Sequence, residues 1–326
     1  MNDQISHLQS PTSSHQSPIS NLRVVVLGGA AVDLVARVEA LPQKDSIALA
    51  RSFEEFPGGS AANVAVGIAR LGHGVGFVGK LGDDERGQLL LRAFEQEGVD
   101  TRALVVEPDR PTATCFIGVD ARGERVIFAL PGVSLIDGVA ELNLEYLRGS
   151  RVLYVGPTYA EVAEAAMSAA HEGGGPVFYA PGGAWGTEGL AYVRPLLTRV
   201  DVFVVSRGEA TALTGKSSPE EAIRMLGEMG PPVVVETLGV QGALVLDGDR
   251  LIRVSAFAVP DVRDTTGAGD AFAAGLIAGF LEGLDWESAA RMGCAVAALK
   301  IGHTGARSGL PTREQVARWI GTRFNP

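Results

Sequence analysis

From residue 150 the chain settles into one rhythm: VLYVG, a helical pattern, PVFYA, a helical pattern, VDVFVV, a helical pattern, then PPVVVET. No other feature narrows the fold as much. Strands that are apolar at nearly every position need cover on both faces, and parallel neighbours need long crossovers, which helices supply. The rhythm therefore predicts an α/β body of three layers, with a mostly parallel central sheet.

The earlier half departs from it in two places. Order is expected from Leu22, where LRVVVLGGAAVDLVARV reads as a buried strand, a Gly-Gly turn and a continuing strand. RSFEEFPGGSAANVAVGIARLG then gives an extended piece, a glycine turn and an amphipathic helix closed at Gly72. GVGFVGKLG reads as one short strand, and DDERGQLLLRAFEQEGV as a helix with acids in its first turn. TATCFIGVDARGERVIFAL reads as a hairpin, as does GALVLDGDRLIRV; two closing helices end the chain. The segments at about 34–57 and 112–130 fall outside the strand–helix rhythm and are expected to pair into a small separate β lid. Residues 1–20, rich in Ser, Gln, Pro and His, are expected to be a disordered tail, leaving 21–326 as one domain.

Charge and cysteine content exclude several functions. The chain has 28 basic against 38 acidic residues, a net charge of −10, opposite to a nucleic-acid footprint. A local site can still oppose that field and hold a small anion. No run of about 18 apolar residues predicts a membrane span, and the tail lacks the apolar run of a signal peptide. Cys115 and Cys294 are the only cysteines and form no C-x-x-C, which suits a reducing, cytosolic setting. Both read as small buried hydrophobes.

Phosphate-loop spacing is nearly met twice, in GVGFVGKL and ATALTGKS, but Leu81 cannot ligate Mg²⁺ and Ala210 replaces the first glycine. LGGAAVD is a poor dinucleotide fingerprint. DTTGAGDAFAAG, residues 264–275, fits phosphate chemistry better. Gly267, Ala268 and Gly269 would bare consecutive backbone N–H groups where a helix begins, an anion site by its open donors and dipole. Asp270 falls in the first turn beside it, where the dipole lowers its proton affinity. The residues alone leave two readings open: a helix-start acid worth about 0.5 kcal/mol, or the group that orients a hydroxyl and takes its proton late in phosphoryl transfer.

DTTGAGDAFAAG also resembles the C-terminal signature of the ribokinase-like, PfkB-type carbohydrate kinases. PGGSAANVAVGIARLG resembles their N-terminal signature, VGKLGDDERG the segment after it, SRGEATALTG their N-x-x-E segment and ETLGVQGALV their nucleotide-loop strand. The resemblance runs from Leu22 to Pro311 and implies a ribokinase-like fold and an ATP-dependent sugar kinase. It implies Asp270 as catalytic base, Gly267, Ala268 and Gly269 as the anion hole, and Asp33, Gly58, Gly59 and Asn63 at the substrate. Ser206, Thr237, Gly239 and Gly242 would lie along ATP, Glu209 would hold Mg²⁺ through water, and Asp264 and Thr266 would belong to a monovalent-cation (K⁺) site. The chain departs from the family where Ser206 replaces the Asn of N-x-x-E and where Ala31 replaces a frequent Asn. VLYVGPTY also lacks an acid that some ribokinases carry. Two alternatives follow: a nucleoside kinase of the same fold, since the Ala31 pocket would admit a base, and a silent sugar- or nucleotide-binding regulatory protein. An uncovered lid, with one open face and edge, further predicts a homodimer.

Overall fold

In a computed structural model, residues 24–183 and 189–321 are described. The expected tail lies outside them. Eight strands form the central sheet: β1 (Val24–Leu27), β4 (Val75–Val78), β9 (Val152–Val155), β10 (Val177–Tyr179), β11 (Val202–Ser206), β12 (Val233–Thr237), β13 (Ala243–Asp247) and β14 (Arg250–Val254). Their order is β14-β13-β12-β11-β10-β9-β1-β4. Pairing is parallel from β4 through β12 and antiparallel only at β13 and β14, which form the second predicted hairpin.

The layers follow from alternation along each strand. On β1, Val24 and Val26 pack into one core, while Val25 and Leu27 pack into the other. The first core contains helices Ser60–Arg70, Glu85–Gln96, Ala268–Leu281 and Trp286–Lys300, together with Arg313–Gly321. The second contains Ala160–Glu172, Leu190–Leu197, Arg207–Thr214 and Pro219–Gly227. This is the three-layer α/β architecture expected from the strand–helix rhythm, a mostly parallel sheet with helices on both sides.

The segments outside the strand–helix rhythm make a second sheet from β2 (Ala31–Arg37), β3 (Ser52–Gly58), β7 (Thr114–Val119) and β8 (Arg125–Leu130), in the order β3-β2-β7-β8. GVGFVGKLG is not one strand. After β4 the chain turns at Gly79 into β5 (Lys80–Gly82), which pairs with β6 (Val105–Glu107). A Cβ at Gly79 would lie 2.5 Å from the Gly28 carbonyl, so the two backbones cross where only glycine fits. Neither near-phosphate loop is one: Lys80 is 2% exposed and salt-bridged to Glu107, Asp137 and Glu141, and Gly215 is a left-handed C-cap.

The run of small residues after Asp270 is explained by packing. A Cβ on Gly275 would stand 2.8 Å from Gly293 Cα and 3.0 Å from the Met292 carbonyl, and Gly67 meets Ala274 as closely. The Ala268–Leu281 helix is thus held between Ser60–Arg70 and Trp286–Lys300 at backbone contact, which fixes where its N-terminus points. Gly275→Val should lower the free energy of unfolding by about 1–3 kcal/mol, as overpacking does. An unchanged urea midpoint would contradict that packing.

Candidate active site

The Ala268–Leu281 helix starts from Gly267, whose φ of 75° is left-handed. The Ala268 N–H turns back to the Thr265 carbonyl at 3.1 Å. The three consecutive open amides expected at Gly267–Ala268–Gly269 are therefore not all open, because a tight turn uses the middle one. Gly267, Gly269 and Asp270 donate to no backbone or side-chain acceptor among the described residues. Beside Gly269 a Cβ would meet open space.

Asp270 is held from two sides. Ser60 Oγ donates to its Oδ1 at 2.6 Å and Asn63 Nδ2 to its Oδ2 at 2.8 Å. Both donors sit in the first turn of the Ser60–Arg70 helix, placed by the Gly58–Gly59 turn. Gly59 has φ 92°, and a Cβ there would be 2.6 Å from Ala30 Cα. At Gly58 a Cβ would be 2.3 Å from Asp33 Oδ2, so this turn leaves room for the Asp33 carboxyl.

Behind them stands Arg307, a residue that sequence reasoning missed. It is 8% exposed, donates from Nε to Asn63 Oδ1 at 2.8 Å and from Nη2 to the Gly58 carbonyl at 2.7 Å. Its guanidinium lies over the Phe94 ring, 5.5 Å from the centroid. Asn63 is 3% exposed and its amide is shared between Asp270 and Arg307. It is expected at the substrate; among the described residues its side chain contacts the Asp270 carboxylate and Arg307.

Desolvation by the surrounding protein raises the Asp270 carboxyl above the usual range, opposed by the Ser60 and Asn63 hydrogen bonds and by the Arg307 and Lys300 charges. The helix-start position suggested the reverse, because enclosure by neighbours 200 residues away is not visible locally. Asp33 is pushed up to about 6 by burial, with Arg307 pulling down and Asp270 pushing up. It makes no side-chain hydrogen bond among the described residues.

Two cavities flank the 264–269 segment. One, of about 500 Å³, lies between the four-stranded sheet and residues 262–266 and 304–306, and Asp33 and Phe56 line it. The other, of about 560 Å³, is lined by Thr237, Gly239, Gly242, Phe257, Ala268 and Gly269. Val262 and Thr265 line both. Asp270 lines neither cavity but follows Gly269, which lines the second. Of the expected nucleotide residues, Thr237, Gly239 and Gly242 are on the second cavity, whereas Ser206 is on neither.

Ser206 and Glu209 form a reciprocal capping box: the Ser206 N–H donates to Glu209 Oε2 at 2.7 Å, and the Glu209 N–H to Ser206 Oγ at 3.3 Å. Serine in place of the family's Asn thus retains a cap. Buried Tyr154 feels both the Asp270 and Glu209 carboxylates, which with desolvation raise its phenol. Glu209 Oε1 makes no hydrogen bond among the described residues, so a carboxylate oxygen is available to a hard cation held through water.

A monovalent cation fits Asp264 poorly. Its carboxylate accepts from the N–H groups of Thr266 and Gly305, each at 2.8 Å. Its carbonyl accepts from Nζ of Lys300, fully buried and also unforeseen, at 2.8 Å. A second cation on that carbonyl would face an ammonium of like charge. Thr266 Oγ1 accepts from Arg125 of β8, which ties the small sheet across the cleft.

The comparisons with known proteins agree with one another. The family described as "pfkB family carbohydrate kinase" matches residues 21–313. An ATP-dependent ribose-1-phosphate kinase of Halopiger xanaduensis is 33% identical over 305 residues, covering 93% of this chain and 100% of its own. Fructokinase-1 of Oryza sativa is 32% identical, covering 90% and 96%. Among solved structures, Arabidopsis thaliana ribokinase complexed with ribose and ATP superposes with a TM-score of 0.82 at 26% identity, covering 92% of this chain and 98% of its own.

The raised Asp33 carboxyl carries a signed consequence. The folded form keeps the Asp33 proton up to about pH 6, the unfolded chain only to 3.8, so its ionisation disfavours folding as pH rises through that window. Asp33→Asn should therefore melt higher than the parent at pH 8, with the gain vanishing below pH 4. A variant less stable at pH 8 would contradict it.

Proposed function

The chain belongs to the pfkB family of carbohydrate kinases, and from that premise we propose that it transfers the γ-phosphoryl of ATP to a hydroxymethyl group of a small sugar. One observation carries this reading. Residues of the 264–269 segment line both the Asp33 cleft and the Thr237–Gly242 cavity, and Asp270 follows directly in the chain with its carboxylate held by Ser60 and Asn63.

In this scheme the sugar sits in the cleft with hydroxyls on Asp33, and the nucleotide in the second cavity against Gly239 and Gly242. The acceptor oxygen bonds to the γ-phosphorus as the bond from that phosphorus to the β–γ bridging oxygen breaks. ADP leaves, and the hydroxyl proton passes to Asp270. The transition state is largely dissociative, so most of the acceleration comes from placing and stabilising charge. The N–H groups of Gly269 and Asp270 and the positive helix end supply that stabilisation. Ser60, Asn63 and Arg307 act as positioning residues that fix the carboxylate. Mg²⁺ would neutralise phosphate charge, and Glu209 is the residue placed to hold it. The two free cysteines are in keeping with a cytosolic enzyme.

We further propose that the protein is a homodimer joined through its small sheet. β8 is an edge strand exposed at all six positions, and Ile127 and Phe128 are 53% and 58% exposed. Apolar edges of this kind are covered in stable proteins. Sedimentation at micromolar concentration should give twice the chain mass; a monomer would overturn this assembly.

Asp270→Asn preserves size and an acceptor oxygen for one of the two donors, Ser60 or Asn63, but removes the proton acceptor. It should lower kcat by about 10²–10⁴-fold with nucleotide binding retained. Turnover at the parent rate would overturn the assignment of the base.

A further inference from the structure

We propose that the sugar taken by this cleft carries an anionic group, a phosphate ester or a carboxylate, bound by Arg37 and Arg125 at the end of the cleft remote from Asp33. The inference rests on the kinase reading above and narrows its substrate.

The register of the small sheet carries it. Along β2, Val32, Leu34 and Ala36 are buried, so Asp33, Val35 and Arg37 share the face that lines the cleft. Four residues of extended chain put Arg37 about 13 Å along the strand from Asp33. Arg37 pairs with Val119 on β7, and Val119 with Arg125 on β8. The two arginines therefore occupy one row across the sheet, two strands apart, about 10 Å between backbones. The row nearer the base holds Val35 and Ile117, and the next holds Asp33. The face grades from a hydroxyl acceptor, through an apolar band, to a pair of cations.

The charges of the cleft do not cancel internally. Asp120 accepts from the N–H groups of Arg122 and Glu124, and Asp264 from those of Thr266 and Gly305. Arg122 and Arg263, also on the wall, pair with Asp120, Glu124 and Asp261. The Arg37 side chain has no hydrogen-bond or ion-pair partner among the described residues. Arg125 reaches only the neutral Thr266 hydroxyl. In a chain with 38 acidic against 28 basic residues, carboxylates are plentiful. Two guanidiniums left without one, on one row of a concave wall, form a fork suited to the oxygens of a phosphate or carboxylate.

The test compares kcat/KM for ribose and fructose with that for ribose 1-phosphate, fructose 6-phosphate and gluconate, in the parent, Arg37→Gln and Arg125→Gln. The parent should favour an anionic sugar over its neutral counterpart at least tenfold. Each substitution should raise KM for it by about 10–100-fold, the size of a lost charge-assisted hydrogen bond, so that the anionic-to-neutral ratio collapses. The phosphate esters and gluconate identify which anion is read. Preference for neutral sugars, a ratio unchanged in both variants, or a change confined to KM for ATP would overturn the inference while leaving the kinase reading intact. Failure to phosphorylate any of the five, with ATP still bound, would overturn the kinase reading and this inference with it.

Discussion

A partly buried carboxylate needs donors, and the placement of Asp270 sets the terms for the rest of this molecule. Its two oxygens are met by Ser60 and Asn63, which come from a helix more than 200 residues earlier in the chain. For both to reach it, two helix N-termini must converge at fixed spacing. The Gly67–Ala274 and Gly275–Gly293 contacts provide that spacing, and the Gly58–Gly59 turn provides the entry angle. Arg307 then completes the set by holding Asn63 and the Gly58 carbonyl together. Removing one partner of such a buried network leaves the others unsatisfied, so the polar chain and the helix packing are mutually dependent.

The same helix start divides the surface above it. On one side lies a polar cleft under the small sheet, on the other a largely apolar cavity suited to a flat heterocycle. Desolvation raises both Asp33 and Asp270, so each holds its proton more tightly than an exposed acid. For Asp270 this is a gain over the helix-start expectation, because higher proton affinity would match the proposed base better to a hydroxyl. The buried Arg307 charge keeps both from being driven further, and Lys300 adds to this at Asp270.

Much of this was legible in the chain. VVVL, VLYV and VFVVS show both-face burial directly, since alternate residues enter different cores. The hairpins at TATCFIGVDARGERVIFAL and GALVLDGDRLIRV were visible because turn residues separate β-rich runs. What escaped was long-range. Arg307 contacts residues 244 and 249 positions away, and no local period marks it. Lys300 ends a helix and looks like an ordinary last-turn cation, although its ammonium is buried against Asp264. The break at Gly79 was hidden because a single glycine inside a short extended run does not by itself mark a turn. The use of the Ala268 amide depended on the tightness of a turn that composition does not specify.

In the proposed reaction, phosphoryl transfer happens at the 267–270 turn, beside the two cavities. A crystal structure with a non-hydrolysable ATP analogue and a sugar tests it most directly. The γ-phosphate is expected against the Gly269 and Asp270 N–H groups, with a substrate hydroxyl in hydrogen-bond contact with the Asp270 carboxylate. A nucleotide bound elsewhere, or a sugar whose hydroxyls all lie beyond the reach of Asp270, would contradict it.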